Sequence, residues 1–150
     1  LLHLKAGNHV SAATKLRHGF VANGYIAEML SGNSEPAALA IWHGSNLAEP
    51  ETARDYLNQY GDLWQRTPDA IAFVRWLHTH PKVLAERAAV LECQEALLWE
   101  HDFEKRQALG LKEEAARARI DDVLSAAIVR KKPDRHGRLI EPWRYQRTRF

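Results

Sequence analysis

Thr67-Pro68-Asp69-Ala70-Ile71-Ala72-Phe73-Val74-Arg75-Trp76-Leu77 decides the fold class of this 150-residue chain. Thr67 offers a hydroxyl able to accept an orphan backbone N–H, Pro68 sits where a helix tolerates proline best, and Asp69 puts an acid at the positive end of the dipole. The pattern predicts a helix over residues 68 to about 80. On a helical wheel Ala70, Ile71, Phe73, Val74 and Leu77 share one broad arc, with Trp76 beyond its edge and Arg75 on the other side. A helix this apolar needs neighbours on more than one flank.

Working outward, Glu49-Pro50-Glu51 starts a helix whose Ala53, Tyr56, Leu57, Tyr60 and Trp64 recur at three- and four-residue intervals. Ser34-Glu35-Pro36 predicts another through Ala40, Ile41 and Trp42, closed by Gly44-Ser45. Residues 25–30 form a short piece ended by Ser31-Gly32-Asn33. Asn8 or Ser11 caps a first helix carrying Ala12, Ala13, Leu16 and Arg17, with Gly19 as its stop. Downstream, Pro81 opens a long segment in which Val83, Val90 and Leu97, and beside them Leu84, Leu91 and Leu98, recur every seven residues. Gly110 is expected to interrupt it. A last helix over residues 111–129 is supported by alanines, the Glu113 to Arg117 pair, and Ile120, Leu124 and Ile128.

No segment alternates apolar and polar residues long enough for a sheet. The expectation is an all-α fold of antiparallel helical hairpins, as a tetratricopeptide-like repeat or a compact bundle, over residues 1–129, followed by an irregular basic tail over 130–150. With 45% apolar residues the chain suits one domain. The tail holds eight Lys+Arg against two Asp+Glu, leaving 13 against 17 in residues 1–129. That split suits contact with nucleic acid or with an acidic surface. The lone Cys93 cannot form an internal disulfide, and no apolar run approaches a membrane span, so a cytoplasmic setting is expected. The chain starts at Leu1 and its one methionine is Met29, which suggests a piece of a longer protein.

The run Ala53-Arg54-Asp55-Tyr56-Leu57, then Leu63-Trp64-Gln65-Arg66-Thr67-Pro68-Asp69-Ala70-Ile71 and Trp76-Leu77, resembles the tetratricopeptide-like C-terminal region of the suppression-of-tumorigenicity protein family and its bacterial relatives. The resemblance covers roughly residues 10–80. It departs from the family at the Asn-Pro-His-Val-type turn, since Asn8-His9-Val10 lacks the proline and Phe20-Val21 lacks the histidine. It implies a helical-repeat scaffold for protein contacts and brings no catalytic residues.

His78-Thr79-His80-Pro81 resembles the zinc-binding His-x-His-Pro run of JAMM-type isopeptidases, but no Ser-x-x-Asp follows. On a helix, residues two apart point about 160° apart, so a helix-end histidine pair is expected. Glu92, Glu95, Glu100, Asp102 and Glu104 read as a solvated helix face, and Cys93 as an inert packed thiol. Neither a glycine-rich phosphate loop nor a nucleophile elbow occurs, so no residue is assigned to catalysis, a cofactor or a metal. The rings of Trp42, Tyr56, Tyr60, Trp64, Phe73, Trp76 and Trp99 are expected to fill the hairpin core, with Tyr56, Tyr60, Trp64 and Trp76 as candidate lining of a peptide groove.

In the tail, Arg130, Lys131, Lys132, Arg135, Arg138, Arg144, Arg147 and Arg149 are interleaved with Trp143 and Tyr145, the composition of a phosphate and base binder. The competing expectation is that Leu139, Ile140, Pro142 and Trp143 dock in a groove while the arginines meet the acidic helices. The expected function is a non-enzymatic scaffold, a fragment of a larger protein, that binds another protein or the missing part of its own chain. The alternative is a nucleic-acid-binding accessory domain working through residues 130–150.

Overall fold

A computed structural model describes residues 1–144, so Tyr145, Arg147 and Arg149 lie outside the described residues. The described chain is all-α apart from one two-residue ladder. Helix α1 (Leu2–Lys5) turns at Gly7, with φ of 75°, into α2 (His9–Ala22), and Asn8 caps α2 by accepting the Ser11 N–H at 3.3 Å. Gly19 does not end α2. A mid-helix glycine costs only about 1 kcal/mol, and Phe20 and Val21 just beyond it are buried. The stop is Asn23, whose extended backbone lets its side chain accept the Tyr25 N–H of α3 (Gly24–Leu30) and donate to Leu47 O and Glu49 O.

The helix expected after Ser34 does not form. Residues 34–45 run without a helix, because their backbone donors find partners elsewhere: Leu39 N donates to Tyr25 Oη at 2.9 Å and Trp42 N to Gln94 O at 2.9 Å. A 3-10 turn (Asn46–Ala48) leads into α4 (Pro50–Gln65). Thr67 does not act as the expected side-chain cap either, since its hydroxyl donates back to Leu63 O at 3.2 Å. Pro68 still opens α5 (Pro68–His78), which ends two residues earlier than expected.

Helix α6 (Pro81–Trp99) buries Val83, Val90 and Leu97, one of its two seven-residue stripes, while Leu84 of the other is exposed. The break follows at residues 100–102 instead of Gly110. Arg106 Nη1 donates to the terminal carbonyls of Leu97 and Glu100, and Asp102 caps α7 (Phe103–Ala118) by accepting the Lys105 N–H. Gly110 lies inside α7, where a Cβ would meet nothing within 4 Å. The single last helix expected is also divided. Asp121 accepts the Leu124 N–H and starts α8 (Asp122–Val129).

Helix α2 is the hub, with α1, α3, α5, α6 and α8 all against it. Its contact with α8, more than 100 residues away in sequence, closes the bundle on itself. That closure is polar. Arg17, with 0% exposure, lays its Nε and Nη2 edge on the Glu86 carboxylate of α6, at 2.9 and 2.5 Å. Its Nη1 donates to Asp121 O and Ser125 Oγ of the α8 start. Thr14 adds hydrogen bonds to Asp122 and Ser125. Around this network the main core gathers Phe20, Leu30, Trp64, Phe73, Val74, Trp76, Leu77 and Ile128.

The tail is not irregular where it is described. Strands β1 (Lys132–Pro133) and β2 (Leu139–Ile140) pair antiparallel, and Asp134 closes the turn by accepting from the backbones of His136 and Arg138. A single 3-10 turn over residues 142–144 then presses Trp143, 4% exposed, onto His9, Phe73 and Trp76 at ring separations of 4.5, 4.8 and 5.4 Å. Trp76, at the rim of the α5 arc, is covered from the tail.

Removing one partner from a buried ion pair typically costs about 3–5 kcal/mol. Arg17→Met should lower the unfolding free energy in urea by that amount, since Glu86 would be left shielded without its cation. Arg17→Met combined with Glu86→Leu should recover more than half of the loss. A single variant as stable as wild type would show that the network carries no weight.

Candidate functional site

Residues of α2, α3 and α6 converge at a cleft. The backbone of residues 33–48, held to Tyr25 and Gln94 by the two hydrogen bonds described above, forms its outer wall. Phe20, Val21, Pro36, Leu39, Val90 and Leu91 give it apolar sides, and its volume is about 220 Å³. Glu28 and Arg87 bring charge to the same space.

His78, the buried end of α5, joins those two charges. Its Nε2 faces Glu28 Oε1 at 3.2 Å and its Nδ1 faces Arg87 Nη1 at 3.0 Å. A guanidinium has only donors, so Nδ1 accepts and Nε2 carries the proton that Glu28 receives. The imidazole is therefore neutral. Burial, then the Arg87 cation, holds its pKa below the ordinary 6.5, and the Glu28 carboxylate only partly offsets them. Gly24, opening α3, leaves space for Arg87: a Cβ there would lie 3.0 Å from Nη2.

His80 serves a different end. Its Nδ1 accepts the Lys82 N–H at 3.2 Å as the cap of α6, and its ring lies edge-on to Trp76 at 5.7 Å. Burial, then Lys132 and Lys82, lowers its pKa as well. The His-x-His-Pro run thus divides between the end of one helix and the cap of the next. Among the described residues no group of three His, Cys, Asp or Glu side chains is placed to hold a metal ion. Cys93 is buried, and burial pushes its thiol pKa up.

Of the candidate groove aromatics, the structure brings together Tyr56, Tyr60 and Trp64. Trp64 Nε1 donates to Tyr56 Oη at 3.0 Å, the two tyrosine rings are 5.1 Å apart, and with Leu1, Leu2 and Leu63 they line a shallow apolar groove of about 250 Å³ between α1 and α4. Trp76 is elsewhere, under Trp143.

Three rings expected in the core are outside it. Trp42 lies under the Arg106 guanidinium, 5.1 Å from its ring centre, and is 44% exposed; Tyr60 is 40% and Trp99 73% exposed. Trp99 ends α6 and Phe103, 77% exposed, begins α7, so the apex of that hairpin presents two aromatic rings to solvent. Spacing alone could not show this, because the α6–α7 break that turns them outward falls three residues wide between them.

The tail cations among the described residues are on the surface: Arg130, Lys131, Lys132, Arg135, Arg138 and Arg144 are exposed. They do not reach across to the acidic helices. Arg138 pairs with Asp134 and Arg144 with Glu141, both inside the tail, and the Asp134 carboxyl is held below its ordinary value first by the Arg138 backbone N–H. Of the docking residues, Pro142 and Trp143 are buried while Leu139 is exposed.

Comparison with protein-family models, with curated proteins and with solved structures returns no match for this chain. No helix of the described residues is long and apolar enough to cross a membrane.

The two histidines set a pH dependence. For each, the folded pKa lies below the unfolded value of about 6.5, so the unfolded chain binds protons first as pH falls. Their contribution is whole above about pH 7 and is lost progressively below it. Unfolding free energies measured in urea should therefore decline from about pH 7 to pH 5. His78→Gln should be less stable at neutral pH yet decline less steeply. An unchanged slope in that variant would remove His78 from the account.

Proposed function

We propose that this domain works by binding another protein, with Trp99 and Phe103 as its anchors. The carrying observation is the exposure of both rings, 73% and 77%, at the apex of the α6–α7 hairpin. Exposed aromatic rings are what binding hot spots are commonly made of. Acidic Glu95, Glu100, Asp102 and Glu104 flank them in sequence, so the complementary surface is an apolar pocket with a basic rim. The tetratricopeptide-like resemblance of residues 53–77 supports the same reading, since helical-repeat scaffolds use hairpins to present contact residues. The Tyr56, Tyr60 and Trp64 groove offers a second, smaller contact of the same kind.

Exposed substitutions usually change stability by less than about 0.5 kcal/mol, so Trp99→Glu with Phe103→Glu should melt with the wild type. A partner captured by the wild-type domain, purified and titrated, should bind the double variant at least about 100-fold more weakly, as for the loss of two hot-spot residues. If every captured protein binds both forms equally, the apex is not the anchor.

A second reading rests on the cluster Arg130, Lys131, Lys132 and Arg135, exposed on and beside the β-hairpin, which supports nucleic-acid contact through the tail. Removing the tail would also remove Trp143 from the core, so charge substitution is the cleaner probe. If these cations meet phosphates, Lys131→Gln with Lys132→Gln should reduce the salt dependence of oligonucleotide affinity by about 0.9 per lost contact on duplex DNA. No measurable binding to duplex or single strands at low salt would end this reading.

A further inference from the structure

We propose that the cleft bounded by α3, α6 and residues 33–48 binds a small apolar monocarboxylate on the Nε and Nη2 edge of Arg87. This site is separate from the apex and the tail and does not depend on either.

The chain itself shows what that edge is for. Arg17 uses Nε and Nη2 as a fork for the Glu86 carboxylate, while its Nη1 serves backbone and hydroxyl acceptors. Arg87 has the same division of labour with the fork unfilled. Nη1 is fixed on His78, whose orientation is in turn fixed by Glu28, and among the described residues Nε and Nη2 have no hydrogen-bond partner. Of the buried side-chain polar atoms described, only Ser31 Oγ lacks a partner, so the Arg87 fork is not sealed in protein, and Arg87 is one of the residues that line the cleft. Gly24 is the residue that lets it lie there, because any Cβ would stand 3.0 Å from Nη2.

The rest of the cleft selects the ligand. A planar donor fork matches a carboxylate in two parallel hydrogen bonds. The walls of Phe20, Val21, Pro36, Leu39, Val90 and Leu91 suit a hydrocarbon body, and 220 Å³ is room for about seven waters, or an acid of roughly six carbons. Glu28 lines the same space and limits the charge that can enter. A dianion such as phosphate meets that carboxylate with twice the repulsion, whereas a monocarboxylate carries the least charge that fills the fork. Arg87 is also partly stripped of water: burial lowers its pKa from the ordinary arginine value, with Glu28 opposing.

The test is a titration of the whole chain followed by backbone and arginine side-chain NMR signals. The probes are 4-methylpentanoate, its primary amide and inorganic phosphate. The acid should shift the signals of Gly24, Tyr25, Arg87 and Leu91 together with the Arg87 Nε–H, saturating with a dissociation constant on the order of 1 mM. The amide and phosphate should bind at least about tenfold more weakly. Arg87→Lys keeps the charge but not the fork and should weaken the acid by about tenfold or more. Gly24→Ala should weaken it by displacing Nη2. Absence of saturable shifts with the acid overturns the proposal, and so does equal affinity for the amide, equal affinity for phosphate, or full affinity in a folded Arg87→Lys. Should Arg87→Lys not fold, the wild-type comparison of acid with amide decides alone.

Discussion

Arg17 is a cation with no exposed surface, and the way three helices meet follows from what it needs. A guanidinium taken out of water is tolerated only when its donors are met, and α2 cannot meet them itself because its own carbonyls are engaged along the helix. Glu86 from α6 supplies the paired charge, while Asp121 O and Ser125 Oγ supply neutral acceptors from the start of α8. Helix α8 has eight residues, too few to persist alone in water, and this network with Thr14 and Ile128 holds it against α2. The bundle closes because a buried charge has one arrangement that satisfies it.

Satisfaction of buried polar groups also explains the chain's irregular pieces. Residues 34–45 give up helical hydrogen bonds because Tyr25 Oη and Gln94 O take their donors, and in doing so they wall the cleft beside Arg87. Asn23 ends one helix, starts the next and ties both to Leu47 and Glu49. Two arginines with similar stems then stand in contrasting states. Arg17 is complete and structural, whereas Arg87 is held in place by His78 and keeps a fork to offer.

Much of the fold was legible from caps and breakers. Glu49-Pro50, Thr67-Pro68 and His80-Pro81 mark where α4, α5 and α6 begin, and the apolar arc of α5 identifies a core helix. Glycine was the poorer guide. Gly19 and Gly110 lie within helices, since a small propensity cost is outweighed by packing or by the continuing hydrogen-bond ladder. The helix expected from Ser34-Glu35-Pro36 had good local signals and lost to tertiary partners 14 and 52 residues away. The Asp134 to Gly137 turn was missed because its two strands are only two residues each, too short to show alternation.

By itself the sequence determined that the chain forms helices, and roughly where most of them start, because capping and apolar periodicity act within a few residues. It also marked the rings and cations worth following, among them Trp64, Trp76, Trp143 and the basic run from Arg130. Only the tertiary structure decided which of these are buried. Trp143 sits under cover on Trp76 while Trp99, on an equally helical stripe, faces solvent. It alone joined Glu28, His78 and Arg87, which lie on three separate helices. Such groupings depend on where distant buried donors find their acceptors, and that is settled by the packed chain as a whole, beyond the reach of any local pattern.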